Sequence, residues 1–338
     1  MSRNHELIPG VSLVTAIAAA SWALAQGDGL KQYGVGSLTL AILIGAVLGN
    51  VLPRLGHGRF RPGLAFAQRR FLRTGVALYG FNLSVQQIIQ VGSKGILVDL
   101  AMVTSTLMVG WFIGRRVLGM DRETVLLASA GSAICGAAAV VATVPMLRSE
   151  HGDGAVAEKS AVAVATVVLF GTLAMLLYPA LYAWMGGGFF DFGMYVGSTV
   201  HEVAQVVAIG TSLGDAVAGS AVIVKMIRVM LLVPFLLVVG LLFRKRGSAE
   251  ERRALPVPWF AVMFVVLAGV NSLHVLPAGM VDALRLAGVL LLTAAMASLG
   301  VDTNVGRMKQ AGIRPLLLGC GLFAHLVFIG GLVNWLAA

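Results

Sequence analysis

The run from Ala216 to Phe243 is apolar or small at nearly every position, yet it carries Lys225 and Arg228 near its centre. A transmembrane helix needs about 20 such residues. At a helical rise of 1.5 Å, Lys225 lies roughly 14 Å and Arg228 roughly 18 Å from the start of the run. Both fall near the midplane of a ~30 Å hydrocarbon core. Each cation there costs about 2.5–3.5 kcal/mol. The i, i+3 spacing puts both on one helix face. Such a pair calls for a carboxylate, a water-filled cavity or a bound anion, and its charge favours the anion.

Composition places the chain in a bilayer. It is 58% hydrophobic and 12% charged, with a mean hydropathy of +0.89. Soluble domains are nearer 25% charged. The net charge of +10 does not indicate nucleic acid, because the basic residues sit in short loops between apolar runs. The two cysteines, Cys135 and Cys320, lie inside apolar runs and form neither a disulfide framework nor a metal-ligand set.

Eleven apolar runs are legible: Ile8–Gln26, Gly36–Leu52, Phe71–Val91, Gly95–Gly114, Glu123–Leu147, Lys159–Trp184, Phe189–Gly210, Ala216–Phe243, Val257–Leu276, Val281–Val301 and Ile313–Leu336. The first is read as an uncleaved span, since only one Arg precedes it. Read as eleven crossings with the N-terminus inside, the inner loops hold 18 of the 25 basic residues, and the outer loops hold only Lys31, Lys94, Arg148 and Lys159. The expectation is an all-α polytopic bundle forming one integral membrane domain, residues 1–338, in a bacterial inner membrane with its N-terminus cytoplasmic. No nucleotide cradle appears, so ATP is not expected to energise this chain alone.

Two internal echoes suggest inverted repeats, with repeat-like segments at about 71–147 and 189–336. Gly80-Phe-Asn82-Leu-Ser84-Val85 matches Gly300-Val-Asp302-Thr-Asn304-Val305. Gly131 to Ala142 matches Gly197 to Ala208 with six of twelve positions identical. Gly, Ala and Val are abundant here, so short matches also arise by chance. The second echo raises a conflict: as full spans its two segments run parallel, whereas an inverted pair runs antiparallel.

Three constellations carry candidate chemistry. Gly131-Ser132-Ala-Ile-Cys135-Gly136 weakens a helix at mid-depth, which permits an unwound segment that binds ions or substrate. Close helix packing through small residues accounts for it equally well. Gly197-Ser198-Thr-Val-His201-Glu202-Val-Ala-Gln205 places Ser198, Glu202 and Gln205 on one helix face. Glu202 is the coupling or counter-charge candidate; the alternative is a structural ion pair with Arg228. Asn82 lies late in its run and the Asp302/Asn304 pair ends its own, where they suit Na⁺ coordination or helix capping. Asp99 is placed near the outer end of its run, in reach of water. His201-Glu202 begins like a zinc-peptidase motif, but Gln205 stands where the second His belongs, so an enzyme is not expected.

Together, Gly131–Gly136, Gly197–Gln205, Lys225-Met-Ile-Arg228 with Pro234, and Ser298-Leu-Gly-Val-Asp302-Thr-Asn304 resemble the YeiH-type sulfate exporter family over nearly the whole chain. That family is distantly similar to the bile acid/sodium symporters. The resemblance implies inverted repeats, two crossing broken helices and export of sulfate. In the symporters Na⁺ is held by a Ser/Asn-bearing broken helix and a Glu-x-x-x-Gln-like stretch; here Glu202 and Gln205 are one residue closer.

The resulting expectation is a secondary transporter of a small inorganic oxyanion, sulfate or sulfite. Lys225, Arg228, Ser132, Cys135, Gly136, Ser198 and His201 are the substrate set. Glu202, Gln205, Asn82, Asp302 and Asn304 are the coupling set. No cofactor is expected beyond a coupling Na⁺ or H⁺, and the partners are lipid, the anion and further copies of the chain. The alternatives are a Na⁺- or H⁺-coupled carrier of another ion, with the two cations structural, and a membrane sensor or complex subunit.

Overall fold

A computed structural model describes residues 6–27, 36–147, 153–186, 190–242, 258–303 and 312–338. Every regular element among them is helical. In chain order they are α1 Ile8–Ala25, α2 Ser37–Val51, α3 Arg61–Phe66, α4 Leu72–Tyr79, α5 Val85–Trp111, α6 Arg122–Ala133, α7 Ala137–Thr143, α8 Asp153–Met185, α9 Phe192–Thr199, α10 Val203–Leu213, α11 Asp215–Met230, α12 Leu232–Leu242, α13 Trp259–Ser272, α14 Ala278–Asp302 and α15 Ile313–Leu336. A π-helical turn, Ala67–Phe71, joins α3 to α4, and another, Phe112–Val117, prolongs α5. Among the described residues, six helical stretches are long and apolar enough to cross a membrane, and four shorter helices are apolar. A polytopic helical membrane protein accounts for this.

Two of the eleven expected spans do not cross. α6 and α7 form a helical hairpin, and the reason is visible in its contacts. Lys159, early in α8, lies 2.9 Å from both Asp121 and Glu123 at the start of α6. Further along both helices, a Cβ on Gly131 would lie 2.8 Å from Val167 of α8 and 2.8 Å from Val140 of α7. So α6 runs beside α8 in the same direction, and α7 folds back along α6. The chain therefore returns to the face it came from. The turn falls at Ile134-Cys135-Gly136, where Gly136 adopts φ +70 and donates its N–H to Gly131 O at 2.9 Å. A side chain at that φ is strained, which explains the glycine.

The second hairpin is α9 and α10. Gly193 and Gly197 let α9 lie on the backbone of α11 at Val217 and Ala221. Gly210 of α10 rests on Ala218 of the same helix. Both ends of this hairpin are thus level with the beginning of α11. Its turn, Val200–Glu202, is extended: Val200 has ψ 146 and Glu202 ψ 150. Asp191 caps α9 by accepting from Met194 N at 3.0 Å, as Asp121 caps α6 from Thr124 N at 3.1 Å.

The hairpins enter from opposite faces. The first opens where α8 begins; the second opens where α8 ends, since Phe192 packs on Tyr182 with ring centroids 4.9 Å apart. Their tips meet halfway. This removes the parallel-span conflict, because the echoed segments are hairpins of opposite direction rather than parallel spans. It also moves Lys159 to the face that carries Arg115, Arg116 and Arg122, while Arg148 lies outside the described residues.

A further boundary shifts. α5 is continuous through residues 92–94, which the sequence reading placed in a loop, and it starts at Val85 behind a Ser84 capping box closed by Gln87. The break between successive rods is at Gly80–Ser84 instead. Gly80 lies against the α13 backbone and Gly300 of α14 against the α2 backbone, so the glycines of the first echo serve the same kind of close helix crossing.

Candidate functional site at the meeting of two hairpins

The site is built from helix ends. An α-helix leaves its last carbonyls and first N–H groups unpaired, with about −0.5 charge at its C-terminus and +0.5 at its N-terminus. Breaking two helices in the middle of the bundle creates two of each. At membrane depth each unpaired group needs a partner within the protein.

Lys225 and Arg228 serve the two C-termini. Lys225 Nζ donates to Ile134 O and to Val200 O, each at 2.7 Å. Arg228 donates through Nη2 to Ser132 O at 3.1 Å, through Nη1 to Ser198 O and through Nε to Ala133 O. Both side chains are fully buried. Ile134 matches Val200 and Ser132 matches Ser198 in the second echo. Each cation therefore grips matched carbonyls of the two hairpins, and the echo coincides with contacts made at both tips.

Glu202 serves the N-termini. It is the N-cap of α10, and its Oε1 accepts from Ala137 N, the first N–H of α7, at 3.0 Å. Gln205 Oε1 in turn accepts from Glu202 N at 3.1 Å. A Cβ on Gly136 would collide with the Glu202 side chain, and one on Gly171 of α8 would collide with Gln205. Glycine at each position makes room for a buried polar group.

Several expectations change in this geometry. Ser198, Glu202 and Gln205 do not share a helix face, because the chain is broken between Thr199 and Val203. Glu202 is not an ion-pair partner of Arg228; its carboxylate is bonded to a helix N-terminus. Ser198 Oγ donates to Tyr195 O at 3.2 Å and accepts from Asn334 Nδ2 at 3.0 Å. His201 and Cys135 occupy matched positions on the two tips and are buried. His201 Nδ1 has no hydrogen-bond partner, and its ring stacks on Phe323 at 6.4 Å.

Lys225, Arg228, Ser132, Cys135, Gly136, Ser198, His201, Glu202 and Gln205 thus gather at the two tips. Asn82 makes no described bond to them. Asn82 Nδ2 donates locally to Tyr79 O at 3.2 Å. Asp302 is the last residue of α14. Asn304 lies outside the described residues.

The sequence reading missed two residues here. Asp99 of α5 does not reach water: it is 0% exposed, and neither carboxylate oxygen has a hydrogen-bond partner. It follows Gly95 by one turn, and Gly95 packs on Val224 and Ile227 of α11. The rarity of acids within apolar runs was the signal available for it. Asn334 of α15 is 3% exposed and reaches Ser198; a lone amide late in an apolar run gave no comparable signal.

The model of a family described as "Conserved hypothetical protein 698" matches residues 9–319. The chain belongs to this family. Among its relatives, the UPF0324 inner membrane protein YeiH of Escherichia coli (strain K12) is 43% identical over 97% of this chain and 93% of its own. A UPF0324 membrane protein of Bordetella pertussis is 47% identical over 96% and 94%. One from Yersinia pestis is 44% identical over 97% and 92%. The family, and a multi-pass inner-membrane location, are thereby established for the chain.

Proposed function

We propose that the chain is a secondary transporter, not an enzyme, and that it carries a small inorganic oxyanion such as sulfate or sulfite by alternating access. The observation that carries this reading is the pair of buried cations where two opposed hairpin tips meet. Non-helical backbone at membrane depth is tolerated only where protein buries it or where it lines a cavity. Discontinuous helices and buried ionisable groups are the usual material of a transport site. The charge balance favours an anion. The two helix C-termini and two N-termini cancel, so Lys225 and Arg228 exceed Glu202 by one positive charge. Unused donors remain as well. Of three ammonium hydrogens on Lys225, two are engaged, and of five on Arg228, three are engaged. The arginine-rich face, with Arg115, Arg116 and Arg122, is cytoplasmic in this reading. The first hairpin then opens inward and the second outward.

The test is uptake of labelled sulfate and sulfite into proteoliposomes holding wild-type chain or Lys225→Ala/Arg228→Ala. Saturable flux that the variant lacks is the expected result. A second reading draws on the carbonyl bonds of the two cations: they are structural, and the protein exchanges cations through Glu202 and Asp302. Flux driven by a Na⁺ or H⁺ gradient with no anion present would replace the first reading with this one.

A further inference from the structure

Asp99 stands apart from the groups described so far. Glu202, Lys225 and Arg228 are bonded into the hairpin tips, whereas Asp99 is buried with both oxygens free of hydrogen bonds. It sits roughly 21 Å along a helical stretch roughly 48 Å long, Val85–Val117, and so near its middle. The cations whose charge reaches it are Arg228 and Lys225, both on α11. Arg228 gives its guanidinium hydrogen bonds to the carbonyls of Ser132, Ala133 and Ser198.

The helix that carries Asp99 also lines a cleft. A cleft of about 450 Å³ between α5, α9 and α15 is lined by Gln90, Lys94, Asp191 and Asn334 among others. Met194 of its lining belongs to an apolar cluster with Val98, Met102, Val224 and Leu326, and Val98 adjoins Asp99 in α5. Apolar constrictions of this kind gate by wetting and dewetting.

We propose that Asp99 is a proton-binding site that couples proton movement to the anion. The proton passes from water in the cleft to a carboxylate oxygen and leaves to water on the other side; no other bond changes. With Asp99 ionised, the two cations are matched by two carboxylates and the site is neutral. With Asp99 protonated, one positive charge is uncompensated and an anion is drawn in. Proton and anion therefore favour each other's binding and travel together. The other groups facing Asp99 do not replace it. α6 brings no titratable side chain along its middle, α13 none at all, α9 brings Tyr195 and Asp191, and α15 brings His325. Tyr195 donates to Val327 O at 2.8 Å, Asp191 caps α9, and His325 is bonded to Ser105 Oγ at 3.1 Å. Cys135, after α6, bears no charge as a thiol.

This inference rests on the anion-transport reading, and the experiment separates the two. Full-length wild type and Asp99→Asn are placed in proteoliposomes with the membrane potential clamped. Sulfate and sulfite accumulation under a one-unit pH gradient is compared with tracer exchange under none. One coupled proton supports about tenfold accumulation on the alkaline side, the equivalent of 1.4 kcal/mol. Wild type is expected to approach that ratio, and Asp99→Asn to exchange anion yet ignore the gradient. An Asp99→Asn protein that accumulates anion like wild type overturns the proposal. Infrared difference spectra between acid and alkaline pH give an arm independent of substrate. The other acidic residues contribute to both spectra, so the band assigned to Asp99 is the protonated-carboxyl C=O stretch that remains when the Asp99→Asn difference spectrum is subtracted from that of wild type; no such remaining band overturns the proposal whatever the flux. If wild type shows the band but moves no anion, the transport reading fails and the proton site stands. If Asp99→Asn does not fold, Asp99→Glu is used: the midpoint of its pH dependence is expected to shift, and an unshifted midpoint overturns the proposal.

Discussion

Replacing Arg228 by Ala tests whether the cations hold the hairpin tips together. In the wild type Arg228 satisfies three buried carbonyls, Ser132, Ala133 and Ser198, spread over both hairpins. A buried acceptor left unpaired costs about 1–3 kcal/mol. Three such losses, with the cavity left by the fully buried side chain, reach well above 5 kcal/mol before compensation. Removing a buried cation returns several kcal/mol of its desolvation cost, and breaking one side of a buried charged contact nets about 3–5 kcal/mol. For a chain of this size that corresponds to a fall in thermal midpoint on the order of 4–7 °C. The assay is thermal unfolding of the purified protein in detergent, followed by fluorescence of its five tryptophans. Arg228→Met keeps much of the volume and is expected to lose less than Arg228→Ala. Lys225→Met frees two carbonyls instead of three and is expected to fall between the wild type and Arg228→Ala. Unchanged midpoints for both Arg228 variants would refute the view that this side chain fastens the tips.

Other consequences are equally direct. Gly136→Ala meets both a positive φ and the Glu202 side chain, so it should cost at least about 1–2 kcal/mol and abolish flux, read by unfolding midpoint and uptake. Glu202→Gln keeps an acceptor for Ala137 N and should fold nearly normally, whereas Glu202→Ala leaves that N–H unpaired at about 1–3 kcal/mol; equal midpoints would argue against the N-terminal role. Gly171→Ala should displace Gln205 and lower the midpoint, with Gly171→Ala/Gln205→Ala recovering part of the loss. Single cysteines at Asp121 and Glu158, in a chain without Cys135 and Cys320, should react with an impermeant maleimide from the same face; labelling from opposite faces would rule out the first hairpin.

The class of fold was legible because hydropathy is a local property. A run of about 20 apolar residues has nowhere else to go than a bilayer or a large core, and the buried cations stood out for the same reason. Gly136 and the Ser132/Ser198 echo marked the breaks because glycine and small residues leave a trace in any reading of composition. What local pattern could not supply was direction. A broken helix that crosses and one that turns back have the same hydropathy, and it takes tertiary contacts such as Lys159–Asp121, Gly131–Val167, Gly193–Val217 and Gly210–Ala218 to distinguish them. Nor could spacing give the partners of a charge. Lys225 and Arg228 read as an anion site, but the structure gives most of their donors to backbone carbonyls of segments up to 96 residues away, and it leaves Asp99, which the sequence put near water, unpaired in the interior. The sequence by itself determined that two charges lie at the midplane; tertiary packing decided which helix ends they neutralise and which carboxylate is left over, because that balance is set by distances between segments remote in the chain.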